Sequence, residues 1–174
     1  MADSKVVVYE AEFPRDTQLV STLFTAYAKS LPIDLSFQNF DVELSSLPGK
    51  YAYSMGGTIF LSHKSSPEAG AEATVLQDPE IIGCAALRAF DTPRSCELKR
   101  LYITPESRRL GAGRKLFESA IAKAKTMGYA EMLLDTLPTM TAARKMYEKY
   151  GFEECEKYYD SPIEGTVFMK LKLK

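Results

Sequence analysis

The stretch Glu97-Leu98-Lys99-Arg100-Leu101-Tyr102-Ile103, followed by Arg108-Arg109-Leu110-Gly111-Ala112-Gly113, decides how this chain is read. The first part reads as a strand and the second as a turn that opens an amphipathic helix. Glycines let the backbone fold back and present successive N–H groups, and a helix N-terminus adds partial positive charge, so such a turn is an anion site. A phosphorylated ligand is expected there. Two other phosphate loops do not fit. A Walker loop closes on Gly-Lys-Ser/Thr, whereas Gly113 is followed by Arg114 and Lys115, with no hydroxyl for magnesium. A dinucleotide fingerprint has its third glycine where this chain has Leu116. Taken alone, Gly111 and Gly113 would also suit a plain tight turn into a helix.

Downstream lies Thr141-Ala142-Ala143-Arg144-Lys145-Met146-Tyr147-Glu148-Lys149-Tyr150-Gly151-Phe152. A strand, the order Arg-x-x-Gly-x-Gly and then this segment together resemble the GNAT superfamily of acyl-CoA-dependent N-acyltransferases. The resemblance is strong from about Cys96 to Phe152; over the flanks the element order fits and the residues are less diagnostic. It implies an α/β (α+β mixed) fold in one domain, 1–174, with a central, mostly antiparallel sheet of about seven strands and about four flanking helices. It also implies acetyl-CoA as cosubstrate, its pyrophosphate held by the glycine turn, Arg109 to Gly113, with Arg108, Arg109 and Arg114 as possible supplements; arginines near a helix start are otherwise simply solvated.

The bulk numbers agree with a soluble globular domain: 174 residues, 45% hydrophobic and 26% charged. A net charge of −1 argues against a nucleic-acid partner, which calls for a clear basic excess. The N-terminal apolar run, Val6 to Tyr9, is too short for a signal peptide or a membrane span, so a cytoplasmic protein with no membrane partner is expected. Cys84, Cys96 and Cys155 are odd in number and lack Cys-x-x-Cys spacing, which suits reduced thiols. With one histidine and no clustered ligands, no metal is expected.

Periodicity predicts a strand over 6–9, helices over 16–31 and 37–47, and strands over 58–63 and 80–90 joined by a loop over 64–78. After the Glu97 strand it predicts a helix over 111–127, a strand over 131–135, a helix from Pro138 to about Tyr150, and strands over 151–158 and 166–172. Strict alternation along the Glu97 strand would put Glu97, Lys99 and Leu101 on one face and Leu98, Arg100 and Tyr102 on the other.

Acyl transfer from a thioester to an amine needs an uncharged amine, an oxyanion donor and an acid for the leaving thiolate. Glu97 is similar to the acidic residue that many GNAT enzymes use as general base, often through water; a structural glutamate paired with Lys99 or Arg100 is the alternative. Tyr147 is, by resemblance, the phenol that protonates coenzyme A, although periodicity alone makes it a core tyrosine. The resemblance further assigns main-chain groups of Leu101, Tyr102 and Ile103 to the pantetheine arm, with an N–H near Ile103 toward the thioester oxygen. One departure stands out: Met140 occupies the position where the family often has an asparagine that contacts coenzyme A.

Acceptor recognition is expected from Tyr27, Phe37 and Gln38 on one flank and Tyr158, Tyr159 and Asp160 on the other. Aromatic rings with Glu43 and Asp160 would suit a small cationic amine, and ordinary packing would explain each residue singly. The function expected is acetyl transfer to a primary amine of a small molecule by direct attack in a ternary complex, by a monomer or homodimer. The alternatives are a protein or peptide N-acetyltransferase and a noncatalytic module that binds coenzyme A. His63 shows no link to a cysteine, which disfavours a covalent cysteine route.

Overall fold

Three successive valines, Val6 to Val8, favour an extended backbone over a helix, and they sit in strand β1 (Lys5–Glu10). The structure, a computed structural model, describes residues 5–65, 79–90 and 94–174. Seven strands form one sheet in the order β1-β2-β3-β4-β5-β7-β6. Besides β1 these are β2 (Thr58–Ser65), β3 (Ile81–Ala89), β4 (Ser95–Ile103), β5 (Glu131–Thr136), β6 (Glu153–Glu154) and β7 (Val167–Lys172). Among the described residues only β4 and β5 pair in parallel; the other neighbours are antiparallel. The expected seven-stranded mixed sheet with four α-helices is what the chain forms.

Helix α1 (Thr17–Ser30) buries Val20, Leu23 and Phe24 against Ile59, Leu61 and Ala86 on one face of the sheet. Helices α3 (Ala112–Thr126) and α4 (Thr141–Lys149) cover the other face, where Leu116, Phe117 and Ala120 meet Leu98, Met132 and Tyr147. Each large apolar side chain buried there contributes about 1.5–3 kcal/mol by leaving water. Lys123 and Lys125 in the last turn of α3 complement the negative end of its dipole. No described helix is long and apolar enough to cross a membrane.

Four expectations need correction. The helix over 37–47 is broken: a 3-10 turn, Ser36–Gln38, meets Asn39 at φ 54°, and only then does α2 (Phe40–Ser45) begin. Asparagine tolerates that left-handed conformation. Helix α4 starts at Thr141, because Pro138 stands second in a turn closed by the Met140 N–H on the Leu137 carbonyl. The strand over 151–158 shrinks to Glu153–Glu154, since Tyr158 and Tyr159 both pack on Phe168, at 5.0 and 5.2 Å between ring centres, and consecutive strand residues cannot share a face. The first part of the expected 64–78 loop, Lys64 and Ser65, belongs to β2, and 66–78 lie outside the described residues.

Candidate active site

Strand β4 pairs with β5 only from Ser95–Glu131 to Glu97–Leu133. Beyond that point β4 runs on to Ile103 and β5 to Thr136 without joining, so the edge of β4 from Leu98 to Ile103 offers its main-chain groups to the gap. A bulge helps to open it. Lys99 stands opposite Ala86 and Tyr102 opposite Cys84, with Arg100 at φ 58° in between. The bulge overturns strict alternation. Arg100 and Tyr102 face α1 together with Glu97 and Lys99, while Leu98, Leu101 and Ile103 face α3.

A cleft of about 210 Å³ fills the gap, and Leu101, Ile103, Gly113, Asp135, Met140 and Tyr147 are among its walls. The glycine turn forms one end. Arg109 and Gly111 lie at φ 72° and 79°, and six successive N–H groups, Arg109 to Arg114, meet no acceptor among the described residues. Free donors pointing out of a helix start suit a pyrophosphate. Arg108, Arg109 and Leu110 are exposed around them, and Arg114 is exposed with Glu118 4.0 Å away. A Cβ placed on Gly113 would touch Ile103 at an ordinary 3.6 Å, so the protein itself has room for a side chain there.

Tyr147 is buried against Phe117 and Phe152, with ring centres 5.3 and 6.0 Å away, and its hydroxyl bonds to no described residue. Burial, with Tyr27 and Asp135 adding to it, raises the phenol pKa well above its ordinary value, so the group carries its proton at neutral pH. Met140 also lines the cleft, with Thr136 Oγ1 3.6 Å from its sulfur.

Glu97 does not open on this cleft. Its side chain is buried, with Arg88 Nε 2.6 Å and Lys99 Nζ 3.3 Å from its oxygens and the Tyr158 hydroxyl donating at 3.2 Å. Burial alone would raise its pKa, but the two cations outweigh that and hold it below the usual carboxylate range. The pairing is with Lys99, as the structural alternative expected, and with Arg88; Arg100 instead binds Glu43.

The carboxylate that does face the cleft is Asp135, at the end of β5. Lys99 stands between it and Glu97, at 3.8 Å from Asp135, and the Tyr159 hydroxyl donates to Asp135 at 2.9 Å. Sequence reasoning missed Asp135. The available signal was a charge closing the apolar run Met132-Leu133-Leu134 at the end of an expected strand.

Of the expected acceptor residues, Tyr27, Phe37, Gln38 and Tyr159 meet around a second cavity of about 40 Å³, which shares Tyr27, Gln38, Asp135 and Met140 with the cleft, whereas Tyr158 is turned to Glu97 and does not line it. Two expected acidic partners are elsewhere. Glu43 is buried beneath α2, accepting from Arg100 Nη2 at 2.6 Å, and Asp160 is an exposed partner of Lys157. Arg100 also donates to Gln38 at 3.0 Å, which ties the acceptor flank to the bulge of β4.

The thiols stand apart from this chemistry. Cys84 and Cys96 are buried, with burial pushing the Cys96 thiol up to about 12, and Cys155 lies at the β6 edge. None of the three lines the cleft.

The Acetyltransferase (GNAT) family model matches residues 41–152. An uncharacterized N-acetyltransferase of Schizosaccharomyces pombe is 35% identical to this chain over 173 residues, covering 99% of this chain and 98% of its own length. Among solved structures, a GNAT-family acetyltransferase from Staphylococcus aureus has a TM-score of 0.72 at 19% identity, over 98% of this chain and 100% of its own. A Salmonella typhimurium protein, solved with its cofactor acetyl-CoA, has a TM-score of 0.68 at 18% identity, over 97% of this chain and 94% of its own. The two structures speak to the fold alone. This chain belongs to the GNAT family of acetyltransferases. It is an N-acetyltransferase that uses acetyl-CoA.

Proposed function

We propose that the chain acetylates the primary amine of a small molecule by direct attack in a ternary complex. The observation that carries this is the unpaired gap between β4 and β5, which brings Tyr147 and the free main-chain edge up to Ile103 to one cleft, with Gly113, one of the six turn residues whose N–H groups are free, in its wall. The turn from Arg109 to Gly113 holds pyrophosphate, with Arg108 and Arg114 at its rim. The edge formed by Leu101, Tyr102 and Ile103 pairs with the pantetheine arm and directs an N–H to the oxygen that gains charge during transfer. Acetyl-CoA supplies the activated acetyl group. As the amine nitrogen bonds to the acetyl carbon and the carbon–sulfur bond breaks, Tyr147 gives its proton to the sulfur, while the proton shed by the nitrogen passes by way of Asp135 to solvent, from which Tyr147 is reprotonated.

Tyr27, Phe37, Gln38 and Tyr159 surround the acceptor. Their cavity is closed in by the segments after α1 and before β7, which favours a small molecule over an extended peptide. Glu97 assists deprotonation at one remove: its charge holds Lys99, leaving the side of Asp135 that faces the cleft to bind the amine and take its proton.

Glu97→Gln should therefore lower the rate with acetyl-CoA affinity unchanged, and most at low pH. Glu97 stays ionised below the ordinary value of 4.5, so the parent has this charge across the neutral range. In the variant Lys99 turns to Asp135, which then neither holds the amine nor draws off its proton, and the deficit is largest where the ammonium form dominates, as pH falls. A pH–rate profile that overlays the parent would leave Glu97 a structural ion pair. The function itself is tested by following thiol release from acetyl-CoA with small primary amines and with peptides bearing free N-termini. Turnover confined to the peptides would replace it with the protein acetyltransferase alternative.

A further inference from the structure

We propose that the acceptor is an apolar primary monoamine and that Asp135 is the residue that holds its ammonium group; this rests on the small-amine function above and adds the substrate class and its anchor. Asp135 is the one charged residue among the described walls of the second cavity, and it also borders the cleft that contains Tyr147. An ammonium bound to it would stand between the acceptor cavity and the thioester end. A charge taken out of water needs an opposite charge beside it.

Asp135 has capacity to spare. Tyr159 donates to one oxygen at 2.9 Å, while Lys99 is 3.8 Å from the other and closer to Glu97, at 3.3 Å. A carboxylate offers about four acceptor positions, so room remains for an incoming N–H donor.

The rest of the cavity limits what the amine can carry. Ile33, Leu35 and Phe37 come from the segment after α1, and Leu137, Met140 and Ile163 from the opposite side. No lysine or arginine is among the described walls of this cavity, so a carboxylate carried at the far end of the amine, away from Lys99 and Arg100 of the cleft, would be buried without a partner. No second carboxylate is there either, so the far ammonium of a diamine would fare no better. An aliphatic or aromatic body on a single amine meets neither obstacle.

Two matched pairs test this with saturating acetyl-CoA: hexylamine against 1,6-diaminohexane, and 2-phenylethylamine against the amino acid 4-(2-aminoethyl)benzoic acid, whose carboxylate is at the far end. The apolar amine of each pair should have the higher kcat/KM by at least about tenfold, as expected when a buried polar group is left unpaired. Asp135→Asn should raise KM for hexylamine about 30-fold, the loss of one charge-assisted hydrogen bond, with acetyl-CoA affinity unchanged. Asp135→Glu, which keeps the charge, should recover part of the loss, and it decides the point should the asparagine variant not fold. Equal or better turnover of the diamine or the amino acid would overturn the substrate class and leave the small-amine function standing. Unchanged KM in folded Asp135→Asn would overturn the anchor, and so would a KM for Asp135→Glu raised by the full factor of about 30 over the parent. A parent enzyme that binds acetyl-CoA and acetylates none of these, nor any other small amine, would overturn the function and the inference together.

Discussion

Tyr147→Phe should lower the maximal rate with saturating acetyl-CoA roughly 10²-fold, the lower end for general-acid catalysis. The thiolate of coenzyme A leaves tolerably well unprotonated, which is why turnover should persist. The structure makes the variant a clean test. The Tyr147 hydroxyl bonds to no described residue, so its removal leaves no buried partner unsatisfied, and the ring keeps its packing on Phe117 and Phe152. Thermal unfolding of the variant should match the parent closely. A near-normal rate in a normally stable protein would make Tyr147 a core residue and assign the proton to another group.

Gly113→Val should weaken acetyl-CoA binding by about 10- to 100-fold, the equivalent of one charge-assisted hydrogen bond at about 1.5–3 kcal/mol. The two glycines of the turn are not equivalent tests. Gly111 has open space around its Cβ position but lies at φ 79°, where a β-branched residue strains the backbone whether or not a ligand is present. Gly113 lies within α3, and a side chain there meets only an ordinary contact with Ile103. A loss of affinity at Gly113 therefore reports ligand approach and not turn strain. Calorimetric titration checks it, and unchanged affinity in a folded variant would remove the turn as the phosphate site.

The elements with strong periodicity were legible: the valines of β1, the apolar face of α3 with Leu116, Phe117 and Ala120, and the glycine turn before it. The conformational exceptions were not. Arg100 at φ 58° gives no sign of itself in composition, because what holds it there is Glu43, far away in sequence and brought close by the fold. That one residue reverses which side chains of β4 face the α1 side. The short stretch of β6 likewise follows from two tyrosines that find Glu97 and Asp135 across the sheet. Glu97 illustrates this best, since its strand position and a pairing with Lys99 were readable while its enclosure by Arg88 and Tyr158 depends on two other parts of the chain.

Direct attack in a ternary complex is the central claim, and the absence of all three cysteines from the cleft walls argues for it. Initial rates measured over a range of acetyl-CoA concentrations, at several fixed concentrations of an amine substrate, test it most directly. Intersecting reciprocal plots are the expected result, because both substrates must be bound before the acetyl group moves. Parallel lines, the pattern of an acetylated enzyme that forms before the amine arrives, would contradict it.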